Sequence, residues 1–148
     1  MLIIFGGQFL VSSHLVTGTP PAIVAPTLNG ENALARVSKG PELIYFWAEW
    51  CGICRGMQTS VSHVAQDFPV LTVAVDSGDA AAVNAYLQQH KLDWTVVNDD
   101  NGKLFASYGG RGVPAVFVLN PRGDIVFTTA GYTGEWGLRA RLWLARWF

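Results

Sequence analysis

Residues 43–55 read Leu-Ile-Tyr-Phe-Trp-Ala-Glu-Trp-Cys-Gly-Ile-Cys-Arg, and they place two cysteines three positions apart after an apolar run. Leu43 to Ala48 contains β-branched and aromatic residues and follows Lys39-Gly40-Pro41, which predicts a buried strand. From Gly52 to Asp67 apolar residues recur at helical spacing, and Pro69 ends the pattern. The cysteines are therefore predicted to lie on the turn between a strand and a helix.

This position predicts different roles for the two thiols. Cys51 would stand at the helix N-terminus, where unpaired N–H groups and the helix dipole stabilise a thiolate. A lowered thiol pKa makes Cys51 a nucleophile at neutral pH. Cys54, one turn further on, is predicted to be more buried and to act as the resolving thiol, which attacks the mixed disulfide and releases the partner. A Cys-x-x-Cys pair between a strand and a helix points to redox chemistry.

Other uses of the cysteine pair are less well supported. Arg55, and not a histidine, follows Cys54, so covalent haem attachment is not indicated. None of the histidines, His14, His63 and His90, has ligand spacing to the cysteines, so we expect no metal site and no cofactor beyond the redox-active disulfide. His63 is expected to be a partly exposed helix residue. Two alternatives stay open: an inert disulfide, and a copper- or zinc-binding module that uses the two thiolates.

Strands and helices alternate through the rest of the chain. Strands are predicted at 70–75, 94–97, 115–119 and 125–129, and helices at 80–90, at 103–108 as one or two turns, and at 135–147. Ser77-Gly-Asp79 is a plausible N-cap cluster. Alternating strands and helices predict parallel βαβ units, and a hairpin turn at 120–124 adds an antiparallel pair. The sequence therefore predicts an α/β domain with a mixed sheet.

Composition limits the classes of function. The 148 residues suit one domain. Ten basic and eleven acidic residues leave no strongly basic surface of the kind that binds nucleic acid. Two cysteines exclude a disulfide-dense scaffold and a four-thiolate zinc site.

The N-terminus is unusual because residues 1–30 contain no charged side chain. We interpret residues 1–25 as an apolar segment and proline-rich spacer, a remnant of a membrane anchor, followed by a domain at 26–148. An uncleaved weak signal, or extended chain packed on the domain, are the alternatives. The apolar run is shorter than the ~20 residues that span a bilayer.

Tryptophans mark two further regions. Trp50 abuts Cys51 and is expected to shield the site and to offer substrates a flat contact surface, whereas Trp47 alternates into the core. The last helix carries Trp136, Trp143 and Trp147 among arginines. Packing of this helix against the sheet is expected, since a βαβ sheet needs both faces covered. An interfacial membrane helix is the alternative.

Two segments together resemble the thioredoxin superfamily. They are Tyr45 to Arg55 and Gly112-Val113-Pro114, the latter just before a predicted strand. The resemblance covers about residues 26–148 and implies a thioredoxin fold: a central mixed sheet flanked by helices, with an inserted βα unit between the active-site helix and the cis-proline strand. It also implies that the Val113–Pro114 bond is cis and faces the two sulfurs. The backbone of Val113 would then pair with an extended substrate.

Within the superfamily the chain resembles the extracytoplasmic, membrane-tethered branch that includes TlpA, ResA and CcmG. Trp50 to Arg55, the stretch 97–102 and the tail 127–143 are most similar to suppressor-of-copper-sensitivity D (ScsD) proteins. This resemblance implies a bacterial periplasmic location, tethering to the inner membrane, a membrane electron-donor protein and disulfide-containing exported proteins as substrates. We therefore expect a reductase. An oxidase that donates its disulfide is the alternative, because a low thiol pKa favours that direction.

The chain departs from cytoplasmic thioredoxins near the site. Tyr45 stands where they carry a buried aspartate, and Val75 stands near the place of its paired lysine. Two nearby charges are candidate modulators of the cysteines. Glu49 could exchange a proton, although a solvated position at the end of the strand is the simpler expectation. Arg55 could stabilise the thiolate or simply face water.

Overall fold

The structure is a computed structural model that describes residues 14–23, 26–30 and 40–148. The strands are β1 (Glu42–Trp47), β2 (Val70–Val75), β3 (Val96–Asp99), β4 (Ala115–Leu119) and β5 (Ile125–Ala130). The helices of this part of the chain are α1 (Gly52–Ala65), α2 (Ala80–Gln89), α3 (Lys103–Ser107) and α4 (Glu135–Ala145). Each predicted element is present. None of these helices is long and apolar enough to cross a bilayer.

The strand predicted at 94–97 lies two residues later, at 96–99. Trp94 does not extend the ladder, because its ring packs edge-on against Tyr45 and its indole N–H donates to Ser62 Oγ at 3.0 Å. Val96 instead is the first residue that pairs with β2, opposite Thr72. A tertiary contact of one large ring therefore sets where this strand begins.

The five strands form one sheet in the order β3-β2-β1-β4-β5. β1, β2 and β3 run parallel to one another, whereas β4 is antiparallel to both β1 and β5. This arrangement confirms the predicted mixed sheet. It also brings the C-terminal end of β1, which leads to the cysteines, beside the N-terminal end of β4, which follows Pro114.

Alternation along β1 divides the core between the two faces of the sheet. Tyr45 and Trp47 lie in the cluster that also contains Met57 of α1 and Leu138 of α4. Phe46 lies in the cluster on the opposite face, with Phe105 of α3. Trp47 is 1% exposed, which confirms the prediction that it belongs to the core.

Helix α4 covers the sheet through one face only. Leu138, Leu142 and Ala145 are fully buried, as expected for a helix that packs on the sheet. The tryptophans of this helix do not contribute to the packing. Trp136 and Trp143 are 77% and 55% exposed, since the helical repeat turns them away from the buried leucines.

Residues 14–23 pack against the domain. Gly18 and Ile125 exchange backbone hydrogen bonds of 3.0 and 2.7 Å, and Tyr108 Oη donates to the carbonyl oxygen of Pro21 at 2.8 Å. At Gly109, whose φ is +76°, a Cβ would stand 2.2 Å from the carbonyl oxygen of His14. Only glycine therefore permits this close approach. Of the anchor and spacer predicted at residues 1–25, residues 1–13, 24 and 25 lie outside the described residues, and the anchor stays a prediction.

Charged side chains join α1 to α4. The Arg139 guanidinium donates to Glu135 at 2.9 Å, to Asp67 at 2.7 Å and to the carbonyl oxygen of His63 at 3.0 Å. The His63 ring lies 2.9 Å from the Glu135 carboxylate. The His63 side chain is 49% exposed, which confirms the prediction of a partly exposed helix residue.

We expect this network to make stability depend on pH. Hydrogen bonds from His63 and Arg139 lower the pKa of Glu135 below its usual value of 4.5. A carboxylate with a lowered pKa stabilises the fold above the unfolded pKa, and this contribution is lost as the pH falls through the folded value. Glu135→Gln should therefore lower the free energy of unfolding at pH 7, and urea titrations should show the difference closing below pH 4.5. Asp100→Asn, which changes an exposed carboxylate, is the control. If Glu135→Gln lowered the free energy of unfolding by the same amount at pH 7 and below pH 4.5, the prediction would be contradicted.

Candidate active site

The two cysteines lie where β1 passes into α1. Cys51 is the N-cap of α1, and its Sγ accepts a hydrogen bond from the Cys54 backbone N–H at 3.1 Å. The two residues form a disulfide with their Cα atoms 5.2 Å apart. Cys51 is 7% exposed and Cys54 2%, so the second cysteine is the more buried, as predicted. After reduction, the same backbone N–H can stabilise a thiolate on Cys51.

The loop before β4 faces this pair. The Val113–Pro114 peptide bond is cis, as the resemblance implied. The carbonyl oxygen of Val113 lies 3.8 Å from the Sγ of Cys51. The Pro114 carbonyl accepts from the N–H of Gly131, which fastens the loop to the end of β5. Residues 62 positions apart in the sequence therefore meet at the sulfur atoms.

Trp50 forms an exposed rim beside Cys51. Its side chain is 57% exposed, and its indole N–H donates to the carbonyl oxygen of Asp76 at 3.0 Å. The backbone N–H of Glu49 donates to Ser77 Oγ, also at 3.0 Å. These two bonds hold the turn before Cys51 against the loop that follows β2. Asp76 takes a left-handed backbone conformation, with φ of 47°, to present its carbonyl.

Sequence reasoning missed the supporting roles of Asp76 and Ser77. The predicted N-cap cluster Ser77-Gly-Asp79 is confirmed at Asp79, whose Oδ1 accepts from the Ala82 N–H at 2.9 Å, whereas Ser77 Oγ serves the turn before Cys51. The predicted order of parallel strands did contain a signal for these two contacts. Because β1 and β2 are parallel neighbours, the residues after each strand lie at the same edge of the sheet.

Of the two candidate modulators, Arg55 turns back onto the turn. Its guanidinium donates to the backbone carbonyl of Glu49 at 3.4 Å, in an exposed position. Glu49 is itself partly exposed. The structure thus brings Cys51, Cys54 and Trp50 together with the cis-proline loop, and it places both modulators at the solvent side of this group.

Beneath the cysteines the site is lined by aromatic rings. The Tyr45 hydroxyl lies 3.5 Å from the carbonyl oxygen of Cys54, and burial, together with the charge of nearby Tyr86, raises its pKa above the usual value of 10. Tyr86 stacks on Trp47 and accepts a hydrogen bond from Gln58 at 2.8 Å. Tyr45 therefore offers Cys54 a neutral phenol at ordinary pH. Across the described ranges, no group of three or more His, Cys, Asp or Glu side chains could hold a metal ion.

Several curated proteins are similar to this chain in sequence. A thioredoxin-like protein of Haemophilus influenzae is 38% identical over 109 residues, which are 73% of this chain and 65% of that protein. The soluble secreted antigen MPT53 of Mycobacterium tuberculosis is 28% identical over 59% of this chain and 51% of its own length. The chain spans less than two thirds of both relatives. The sporulation thiol-disulfide oxidoreductase A of Bacillus subtilis is 25% identical over 76% of this chain and 72% of its own.

A solved structure supports the fold. Mycobacterium tuberculosis DsbF, determined in mixed oxidised and reduced forms, superimposes with a TM-score of 0.73 and 24% identity, over 86% of this chain and 99% of that one. The predicted thioredoxin-like fold is thereby confirmed. The sequence pattern of the AhpC/TSA family matches residues 18–128 of this chain. The match extends from Gly18, which pairs with Ile125, to the middle of β5. The chain therefore belongs to the AhpC/TSA family.

Proposed function

We propose that the protein is an extracytoplasmic thiol-disulfide oxidoreductase that reduces disulfides of exported proteins. The observation that carries this proposal is the pairing of Cys51, at the cap of α1, with the carbonyl of Val113 at 3.8 Å. A sulfur at a helix N-terminus beside an exposed backbone loop is suited to receive an extended peptide that contains a disulfide. The names of the relatives support the same class of activity.

In the forward direction the Cys51 thiolate attacks one sulfur of the substrate disulfide. A mixed disulfide forms, and the other substrate sulfur leaves as a thiolate and takes up a proton. Cys54 then loses its proton and attacks the Cys51 sulfur. The substrate departs as a dithiol, and the Cys51–Cys54 disulfide remains. Two electrons have passed to the substrate, so a reduced partner must restore the dithiol, and we assign this task to a membrane electron-donor protein.

The neighbouring residues receive supporting roles in this proposal. Trp50 supplies the flat apolar contact for the substrate, and its bond to Asp76 keeps the indole in place. Val113 and Pro114 form the backbone edge along which the substrate lies. Arg55 and Glu49 are the candidate modulators of the charge at the sulfur, and Arg55 acts by holding the turn that contains Glu49.

We further propose a periplasmic location and tethering to the bacterial inner membrane through residues 1–25. The absence of charged side chains from residues 1–30 supports the tether, and a secreted relative supports export. The motifs at 50–55, 97–102 and 127–143 favour ScsD-type proteins within this branch. The same association with copper keeps a thiolate metal module as the competing proposal.

The test of direction is the reduction potential of the Cys51–Cys54 pair, measured by equilibration with glutathione. We expect a value near −270 mV, as in thioredoxin, which suits a reductase that needs a dedicated electron source. A value near −120 mV, typical of strong disulfide donors, would instead make the protein an oxidase. The metal content of protein purified in reduced form tests the competitor. Stoichiometric copper or zinc, with no turnover of disulfide substrates, would overturn the proposed activity.

A further inference from the structure

The outer side of α4 and the residues after it carry an unusual concentration of exposed apolar side chains. Among the described residues eight large hydrophobic side chains are exposed, and five of them lie within residues 136–148. They form what we call the aromatic face: Trp136, Trp143, Leu144, Trp147 and Phe148. Their exposed fractions run from 41% to 77%. Large exposed apolar patches of this kind mark interaction sites.

Helical geometry aligns the three tryptophans. With about 100° per residue, Trp136 and Trp143 of α4 lie within about 20° of each other. Trp147 lies two residues beyond the end of α4, and the intervening Arg146 keeps a right-handed helical backbone conformation, with φ of −61° and ψ of −26°. The buried Leu138, Leu142 and Ala145 point to the opposite side of the helix. The rings of Trp143 and Trp147 lie 6.4 Å apart, edge to face. The helix thus has one apolar side that packs on the domain and a second that faces outward as a continuous stripe.

The charge around this stripe is positive. Residues 135–148 contain three arginines and one glutamate, a net charge of +2, whereas the rest of the chain carries −3. Glu135, the single acid of this segment, is engaged by His63 and Arg139. Arg139 also pairs with Asp67, just beyond α1, at 2.7 Å, so the positive charge offered to a partner rests chiefly on Arg146. Arg139 lies 5.8 Å from the Trp136 ring, and Arg146 lies 5.8 Å from the Phe68 ring. When positions are counted at about 100° per residue, Arg139 and Arg146 lie on the same side of the tryptophans.

We propose that the aromatic face binds the surface of an anionic lipid bilayer, with α4 lying in the plane of the interface. Indole rings suit this environment because their apolar body enters the acyl boundary while the N–H stays among the head groups. Arginines beside them attract anionic lipid. A convex helix face with a basic flank fits an extended, flat, negatively charged surface. The contact is independent of residues 1–25 and would orient the domain on the membrane.

The test uses the full chain and vesicles whose lipids carry bromine on the acyl chains, which quench tryptophan fluorescence on contact. Residues 1–46 contain no tryptophan, so an inserted N-terminus cannot itself produce quenching. We expect anionic vesicles containing phosphatidylglycerol to quench about half of the emission, because three of the six tryptophans lie on the aromatic face. Purely zwitterionic vesicles should bind on the order of tenfold more weakly.

Matched variants identify the face. Combining Trp136→Gln, Trp143→Gln and Trp147→Gln should abolish the quenching, whereas Trp50→Gln, which changes the exposed tryptophan of the active site, should preserve it. Arg146→Glu keeps the three indoles and should weaken binding to anionic vesicles alone, which separates loss of the surface from loss of folding. Absence of quenching in the wild-type protein, or its persistence in the triple variant, would overturn the proposal. The remaining outcome is a wild-type dimer in sedimentation that the triple variant no longer forms, together with no quenching by lipid. This result would assign the aromatic face to a second copy of the chain and would overturn lipid binding.

Discussion

Cys54→Ser should convert the protein into a trap that holds its substrate as a mixed disulfide. Cys51 sits at the helix cap with the N–H of residue 54 directed at its sulfur, and a serine leaves that backbone N–H in place. The first attack therefore proceeds, but no second thiol is present to release the substrate. Non-reducing electrophoresis should show adducts that dithiothreitol dissolves, and turnover of a model disulfide should fall by roughly a thousandfold or more.

Cys51→Ser is the matched control for this experiment. It retains a thiol at position 54, which is 2% exposed and cannot readily reach a protein disulfide. This variant should form no adducts and show no turnover. If Cys51→Ser gave the adducts and Cys54→Ser did not, the roles assigned to the two cysteines would be reversed. Partners identified from the adducts would also name the substrates and the electron donor.

Phe46→Ala should produce the largest loss of stability among single substitutions of the core. The side chain is fully buried in β1, and its ring lies 4.9 Å from Phe105, 5.2 Å from Tyr108 and 5.4 Å from Phe117. Removal of a buried phenyl ring typically costs about 3–5 kcal/mol, through lost burial and the cavity that remains. Since the free energy of unfolding of a domain is commonly about 5–15 kcal/mol, this substitution would remove a large part of it.

Urea unfolding of the oxidised protein measures this effect. The midpoint should fall strongly with an unchanged slope. Phe148→Ala is the control, because that ring is 55% exposed and contacts Phe127 alone among the aromatic neighbours of the described residues. Its cost should stay within about 1 kcal/mol. Equal losses in the two variants would contradict the prediction, because the fully buried Phe46 ring would then stabilise the fold no more than the half-exposed Phe148 ring.

Local sequence patterns predicted the features that depend on residues close together in the chain. The run at 43–48 and the spacing of the two cysteines predicted a strand, a turn and a helix cap, and all three are present. Alternation along β1 predicted a buried Trp47. The cis bond before Pro114 came from resemblance alone, because an isolated X-Pro bond is cis in only about 5–6% of cases.

Other features depended on contacts that no local pattern contains. Trp94 was predicted to begin a strand, but its ring fills space beside Tyr45, and the strand begins later. The bonds from Trp50 to Asp76 and from Glu49 to Ser77 join the ends of two parallel strands. The tryptophans of α4 point outward because the opposite face of the helix, which carries Leu138 and Leu142, packs on the domain. Apolar periodicity alone does not distinguish between two apolar faces of one helix.

The class of fold and the position of the Cys51–Cys54 pair between a strand and a helix could be predicted from the sequence. Both depend on residues close together in the chain, whose backbone preferences and spacing act locally. Only the tertiary structure decided what surrounds the sulfurs and which surfaces stay open. Val113 reaches Cys51 because β4 lies antiparallel beside β1, and Trp136 faces outward because Leu138 and Leu142 occupy the sheet. Sheet pairing and helix docking join distant segments, and their outcome is selected by the packing of the whole core.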